Sequence, residues 1–312
     1  MSRIVVTLGG NALGDTPHDL SVAISGAVHS LAGLVAEGHE IVVSHGNGPQ
    51  VGAIKLAFQE GHAAREYIPL MDLPECTAMS QGYIGYHLQQ GLSRELRAHD
   101  LPQNVVSLVT QVEVASYDPA FGHPSKPIGR CYSESEARLM TAGDPKLVMR
   151  EDSGRGWRQV VPSPIPLRIV EGDSILELLD HGFIVIACGG GGVPVVKRAA
   201  GDYEGVPAVI DKDLTSAVLA DSVGADCLVI LTAVDKVSLN FGQPDQVDLD
   251  DLDAETAVRY ARDGHFGAGS MRPKVLAAVD FVRGGPGRRS VIGSLEHALE
   301  AMDGRSGTVI HA

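Results

Sequence analysis

Arg3-Ile4-Val5-Val6-Thr7-Leu8 is a short, nearly continuous apolar run that stops abruptly at Gly9-Gly10-Asn11. It reads as a buried strand. A different period follows. Ile24, Ala27, Val28, Leu31, Leu34 and Val35 fall at i, i+3, i+4, i+7 spacing, which predicts a helix with one buried stripe. Gly38 is placed to close that helix. Ile41-Val42-Val43 is a second strand and runs into Ser44-His45-Gly46-Asn47-Gly48-Pro49. Strand, helix and strand with short links make a βαβ unit, which implies parallel pairing.

The rhythm resumes downstream. Segments 105–109, 183–187 and 228–231 read as strands, and 79–96, 174–180, 214–222, 275–279 and 295–302 as helices. The pattern predicts an α/β sandwich with a mostly parallel central sheet. One stretch departs from it. Residues 118–166 are rich in Pro, Gly and charge, and hold the single Trp157. A structureless loop of that length is rare in a compact domain, so this stretch reads as a small inserted subdomain in a single 1–312 domain. It carries Lys126 and is placed to close over a substrate.

Ligands of open parallel sheets bind beyond the carboxyl ends of the strands. Here three apparent strand ends carry glycine turns: Gly9-Gly10-Asn11, Gly46-Asn47-Gly48 and Gly189-Gly190-Gly191-Gly192. Glycine lets backbone N–H groups approach a ligand closely, and a helix N-terminus behind them favours an anion. Any one of these is equally a tight strand-to-helix turn. Together they point to convergence on one anionic ligand. The standard nucleotide motifs are missing. Gly9 to Gly14 reads G-G-N-A-L-G, Pro194 stands where a third glycine would be needed after Gly189, and no G-x-x-x-x-G-K-[ST] occurs.

Composition sharpens this. The formal net charge of −14 argues against nucleic acid as a partner. No run approaches the roughly 18–20 apolar residues of a membrane span, and the N-terminus does not read as a secretory signal, so a cytoplasmic protein without a membrane partner is expected. Cys76, Cys131, Cys188 and Cys227 show no C-x-x-C spacing and read as reduced thiols. Asp outnumbers Glu 23 to 16 and lysine is scarce, a balance that fits a protein adapted to high salt.

Only seven basic residues are lysines, against eighteen arginines. Three of the seven lie in suggestive segments: Ser125-Lys126-Pro127, Asp211-Lys212-Asp213 and Arg272-Pro273-Lys274. An ammonium is a compact point charge, suited to oxygens whose charge moves during phosphoryl transfer. A neighbouring carboxylate keeps such a lysine protonated and aimed. Ser270 is a candidate N-cap just ahead of Lys274. On these residues alone, Lys212 reads equally as part of a charged surface turn, Lys274 as a solvated helix lysine and Lys126 as a loop charge. The twelve histidines show no metal-ligand spacing and no serine sits in a G-x-S-x-G elbow. A bound metal is expected to be Mg²⁺ held by nucleotide phosphates, with no direct protein cage.

Leu8-Gly9-Gly10-Asn11-Ala12-Leu13, His45-Gly46-Asn47-Gly48-Pro49-Gln50-Val51-Gly52, Ala78-Met79-Ser80-Gln81-Gly82, Asp118-Pro119-Ala120-Phe121 and Ser125-Lys126-Pro127-Ile128-Gly129 resemble segments of the carbamate kinases. So do 157–164, 208–213, Leu231-Thr232-Ala233-Val234-Asp235-Lys236-Val237 and 269–275, in order and nearly end to end. The resemblance implies the amino acid kinase fold, a three-layer αβα sandwich with a small protruding subdomain, usually a homodimer. It implies ATP plus carbamate giving ADP plus carbamoyl phosphate, run in reverse for ATP synthesis in arginine or related catabolism. By the same resemblance Gly9, Gly10, Asn11, Gly46, Asn47 and Gly48 cradle the carbamate and the transferring phosphoryl group. Lys126 reaches in from the subdomain, Lys212 and Lys274 contact ATP phosphates, and Asp213 organises the lysines. Thr232, Ala233 and Val234, with Met271 and Pro273, lie near the nucleotide. Arg130-Cys131 replaces a Pro-Phe pair common in the family, and the link Gly14-Asp15-Thr16-Pro17 is short and acidic.

Three other functions compete. A sibling kinase would act on a larger acid or a nucleoside monophosphate. A non-catalytic nucleotide or anion sensor could lose Lys126, Lys212, Asp213 and Lys274, all of which are present. A nicotinamide dehydrogenase lacks its fingerprint.

Overall fold

A computed structural model describes residues 1–9, 14, 16–152, 154–267, 269–295 and 297–312. The chain opens with β1 (Arg3–Leu8), α1 (Pro17–Ala36) and β2 (Glu40–His45). Two helices follow, α2 (Gly48–Ala64) and α3 (Leu73–Ala98), then β3 (Val105–Ser107) and β4 (Gln111–Val114). Next come β5 (Lys126–Tyr132), α4 (Glu134–Gly143), β6 (Met149–Glu151), β7 (Trp157–Val161), β8 (Pro166–Ile169), α5 (Gly172–Asp180) and β9 (Ile184–Ile186). They lead to β10 (Val193–Lys197), β11 (Tyr203–Gly205), α6 (Lys212–Ser222), β12 (Cys227–Thr232), β13 (Val237–Leu239), β14 (Val247–Leu249) and β15 (Asp251–Asp253). The last elements are α7 (Ala254–Arg262), α8 (Met271–Arg283), β16 (Arg289–Ser294), α9 (Ala298–Met302) and β17 (Thr308–His311).

The main sheet has the order β15-β17-β16-β12-β1-β2-β9-β3. Every pairing in it is parallel except β16 with β17. Strand alternation sorts its side chains into two cores. Ile4, Val6, Leu8, Ile41 and Val43 pack with the buried stripes of α1 and α3, including Leu31, Ile84 and Leu88. Val5, Val42, Leu228 and Ile230 face the other way, against Ile175 of α5, Leu219 of α6 and Val275 of α8. With each face covered by helices, the molecule is the α/β sandwich that the pattern predicts, built in three layers.

α1 also corrects an expectation. Residues His18–Ala36 are long and apolar enough to meet a membrane-span criterion. Their stripe of Leu20, Ile24, Ala27, Val28, Leu31, Leu34 and Val35 is buried in the core instead. The helix is set by Thr16, whose side chain forms a capping box with Asp19, and it closes at Gly38 with φ of +84°.

Several elements carry little sequence signal. α2 buries only Gln50 and Val51, so it has no apolar stripe to read. β3 stops at Ser107 and α9 begins only at Ala298, both shorter than their apolar runs. Between them in sequence, β5, β7 and β6 form their own three-stranded antiparallel sheet in that order. It presses on α2 through a glycine pair: a Cβ on Gly52 would fall 2.2 Å from the Cα of Gly129.

Candidate active site

In the order β12-β1-β2-β9 the strands are parallel, so their carboxyl ends share one edge of the sheet. Gly9 follows β1 there, half-buried, while Gly10 and Asn11 lie outside the described residues. The Gly46 N–H donates to the Leu8 carbonyl at 3.0 Å, joining the first two turns. Asn47 takes the N-cap position of α2 but makes no side-chain cap. Its Nδ2 donates instead to Ser80 Oγ at 2.8 Å, and that hydroxyl donates to the Thr77 carbonyl at 2.7 Å. No cap from Asn47 therefore covers the first turn of α2, which begins at the half-buried Gly48.

The third glycine turn has another role. Gly189, Gly190, Gly191 and Gly192 are all buried. A Cβ on Gly190 would lie 2.1 Å from Asn47 Nδ2, and one on Gly191 only 2.3 Å from the Ile210 carbonyl. Gln81 Nε2 donates to the carbonyls of Gly189 and Thr110, and Thr215 Oγ1 to that of Gly191. The turn is a buried brace between the start of α2 and the segment entering α6. Cys188, just before it, is held at φ of +55°, a left-handed conformation that costs a non-glycine residue about 1 kcal/mol or more.

The brace delivers Asp211, the N-cap of α6. Its Oδ1 accepts from the Asp213 N–H at 2.9 Å, and its Oδ2 accepts from Lys126 Nζ at 2.5 Å. Lys212 and Asp213 open the helix, 8% and 3% exposed. Lys212 Nζ donates to Asp213 Oδ1 at 2.5 Å and to Thr7 Oγ1 at 3.1 Å. Lys274 Nζ, from the first turns of α8, donates to Asp213 Oδ2 at 2.7 Å. One carboxylate thus holds two lysines, one on each oxygen, and its helix neighbour holds the third. Ser270 stands at the N-cap of α8 without making a side-chain cap.

Electrostatics follow from burial and pairing. Burial lowers the Lys212 pKa from the ordinary 10.5 to about 8, against the pull of Asp213 and aided by the nearby Lys274 charge. Burial works to raise the Asp213 pKa, but Lys212 and Lys274 outweigh it and hold the carboxyl well below its usual range. Burial takes His45 down to about 4, partly offset by its contact with the Gly46 carbonyl and reinforced by Lys212. That imidazole is neutral at physiological pH.

The residues expected near a nucleotide occupy two places. Thr232 ends β12, with Ala233 and Val234 in the turn after it. Met271 and Pro273 lie in the first turn of α8, directly before Lys274. The sequence gives Thr7 no role, and Asp211, expected to steady Lys212, takes Lys126 instead. Asp211 had a legible signal, a carboxylate one position ahead of a helix; Thr7 is an ordinary strand position. Away from the centre, Glu95 accepts from His29 at 3.0 Å and lies 3.5 Å from His99, tying α1 to α3. Sequence spacing alone hides this cluster. The four cysteines are free thiols, with only Cys131 exposed.

Lys126, Lys212 and Lys274 against Asp211 and Asp213 leave an excess of one positive charge in a chain of net charge −14. The N-termini of α2, α6 and α8 carry further positive potential. Such a centre can hold anions and stabilise charge as it moves between oxygens. Both carboxylates are committed to cations, and His45, with its pKa brought down to about 4 by burial, is a weak base, so these residues offer no strong general base. This is the kind of centre that a phosphotransferase requires.

Comparison with known proteins agrees. The amino acid kinase family model matches residues 2–294. A carbamate kinase of Staphylococcus haemolyticus is 50% identical over 310 residues, covering 99% of both chains. The structure of carbamate kinase from Giardia lamblia bound to citric acid superposes with a TM-score of 0.92 at 40% identity, over 99% of this chain and 98% of that one. The same enzyme bound to AMP-PNP gives 0.88 at 41% identity, over 99% and 98%. The chain belongs to the amino acid kinase family, on its carbamate kinase branch.

Proposed function

We propose that this protein transfers the γ-phosphoryl group of ATP reversibly to carbamate, forming ADP and carbamoyl phosphate. The observation that carries this reading is the Asp213 carboxylate with Lys212 on one oxygen and Lys274 on the other. In the forward direction a carbamate oxygen forms a bond to the γ-phosphorus while the bond to the bridging oxygen of ADP breaks. Carbamate is already an anion, so its oxygen needs no proton removed. A lysine centre without a general base suits that acceptor.

The residues divide the work. Lys212 and Lys274 neutralise charge on the phosphoryl oxygens as it shifts from donor to acceptor. Asp213 aims both, and Thr7 fixes Lys212 from the sheet. Gly46, Asn47 and Gly48, with Gly9, Gly10 and Asn11, hold the acid and the transferring group. Lys126 adds a cation from residues 118–166, acting as a protruding subdomain. Thr232, Ala233 and Val234 lie near the nucleotide, as do Met271 and Pro273. Mg²⁺ enters with the nucleotide phosphates, because Asp211 and Asp213 are taken up by lysines and backbone. It screens phosphate charge when bound. The resemblance to the family further supports a cytoplasmic homodimer that makes ATP in arginine or related catabolism.

The test is a coupled assay of the purified protein with Mg-ADP and carbamoyl phosphate. ATP should form. Equal rates with acetyl phosphate would sink carbamate specificity, and no turnover at low or high salt would favour an anion sensor.

A further inference from the structure

Arg158 of β7 is the most buried arginine near this centre, its side chain 8% exposed. Two arms of its guanidinium are pinned. Nε donates to the Gly129 carbonyl at 3.1 Å, and Nη1 to Asp152 Oδ2 at 3.0 Å. Asp152 also takes Arg155. Burial works to raise the Asp152 pKa, but the two arginines hold it below its usual range. The third arm, Nη2, donates to no group among the described residues. It lies beside the start of α2: a Cβ built on Gly48 would find Nη2 at 3.9 Å, and no other atom within 4 Å outside its own chain neighbours and helix turn. The Gly52–Gly129 contact presses β5, and with it the carbonyl that Arg158 grips, onto α2.

We propose that Arg158 binds the acid substrate, its free Nη2 donating to an oxygen of the carbamoyl group over the first turn of α2. The inference rests on the phosphotransferase reading above and deepens it. The location separates acid from nucleotide. α2 follows β2, whereas Thr232 ends β12, and β2 and β12 lie on opposite sides of β1. The residue type fits. A guanidinium fixed through two arms presents the third at little entropic cost, which a flexible lysine cannot do. The small sheet then contributes two cations from adjacent strands: Lys126 to Asp211, and Arg158 to the acid.

Arg158→Met removes the charge and keeps much of the bulk. It should raise KM for carbamoyl phosphate about tenfold or more, the scale of a lost charge-assisted hydrogen bond, with KM for Mg-ADP within about twofold. Arg158→Lys should fall between wild type and Arg158→Met, and keeps the result readable if the methionine variant melts early. If Arg158 only ties Asp152 to Gly129, the melting temperature falls while both KM values stay put, and the inference fails. It fails equally if both KM values rise together. A wild-type protein that makes no ATP from carbamoyl phosphate overturns the proposed activity itself, an outcome distinct from an active enzyme whose arginine variants behave normally.

Discussion

In its proposed role Lys212 needs its proton to stabilise a phosphoryl group, yet burial brings its pKa down to about 8. kcat/KM should therefore fall on a basic limb with an apparent pKa near that value, because this ratio reports ionisations of the free enzyme. The same shift has the opposite sign for stability. Between pH 8 and 10.5 the folded state has released the proton while the unfolded chain keeps it, so this group's contribution to stability rises with pH there. A pH–rate profile beside a pH–melting series separates the two effects; kcat/KM flat to pH 10 would remove Lys212 from the chemistry. Lys212→Ala should lower turnover by roughly 10²-fold or more and leave a folded protein. Pairing with Asp213 was readable because the two residues are adjacent. The partners Lys126–Asp211 and Lys274–Asp213 lie 85 and 61 residues apart. Nothing local announces them. Arg158 was hidden similarly, since its value depends on which strand end meets α2.

At the scale of elements, the packing of β5 on α2 sets where Lys126 stands. Gly52 and Gly129 meet backbone to backbone, with a Cβ on Gly52 only 2.2 Å from its neighbour. Gly52→Ala should push β5 outward. The expected result is turnover lowered roughly tenfold or more through a displaced Lys126, with far-UV dichroism unchanged. Wild-type rates in this variant would show that the contact does not position the lysine. α1 and the central strands were legible because they bury regular stripes. α2 was not, having almost no buried face. The Gly189–Gly192 turn was legible as a turn, but its packing on Asn47 and Ile210 was not, because those partners are remote in sequence.

For the whole molecule, the parallel α/β class follows from alternating apolar periods, while the antiparallel β16–β17 pairing lies outside that rhythm. The charge of −14 is a property of the entire surface. If it reflects a salt-rich setting, screening should relieve self-repulsion. The melting temperature and turnover should both rise between low salt and molar KCl, and a protein indifferent to salt would rule the adaptation out. Light scattering on the same samples should return twice the 32.8 kDa chain mass; a monomer would contradict the proposed homodimer.

The Asp213 clamp also limits how the composition can drift. Arginine outnumbers lysine eighteen to seven across this chain, yet all three cations held by Asp211 and Asp213 are lysines. A guanidinium tends to grip a carboxylate with two parallel arms, whereas an ammonium meets one oxygen end-on. An arginine in place of Lys212 or Lys274 would monopolise both oxygens of Asp213 and evict the other cation. Lys212 and Lys274 fit this centre because each takes one oxygen and leaves the other to its neighbour.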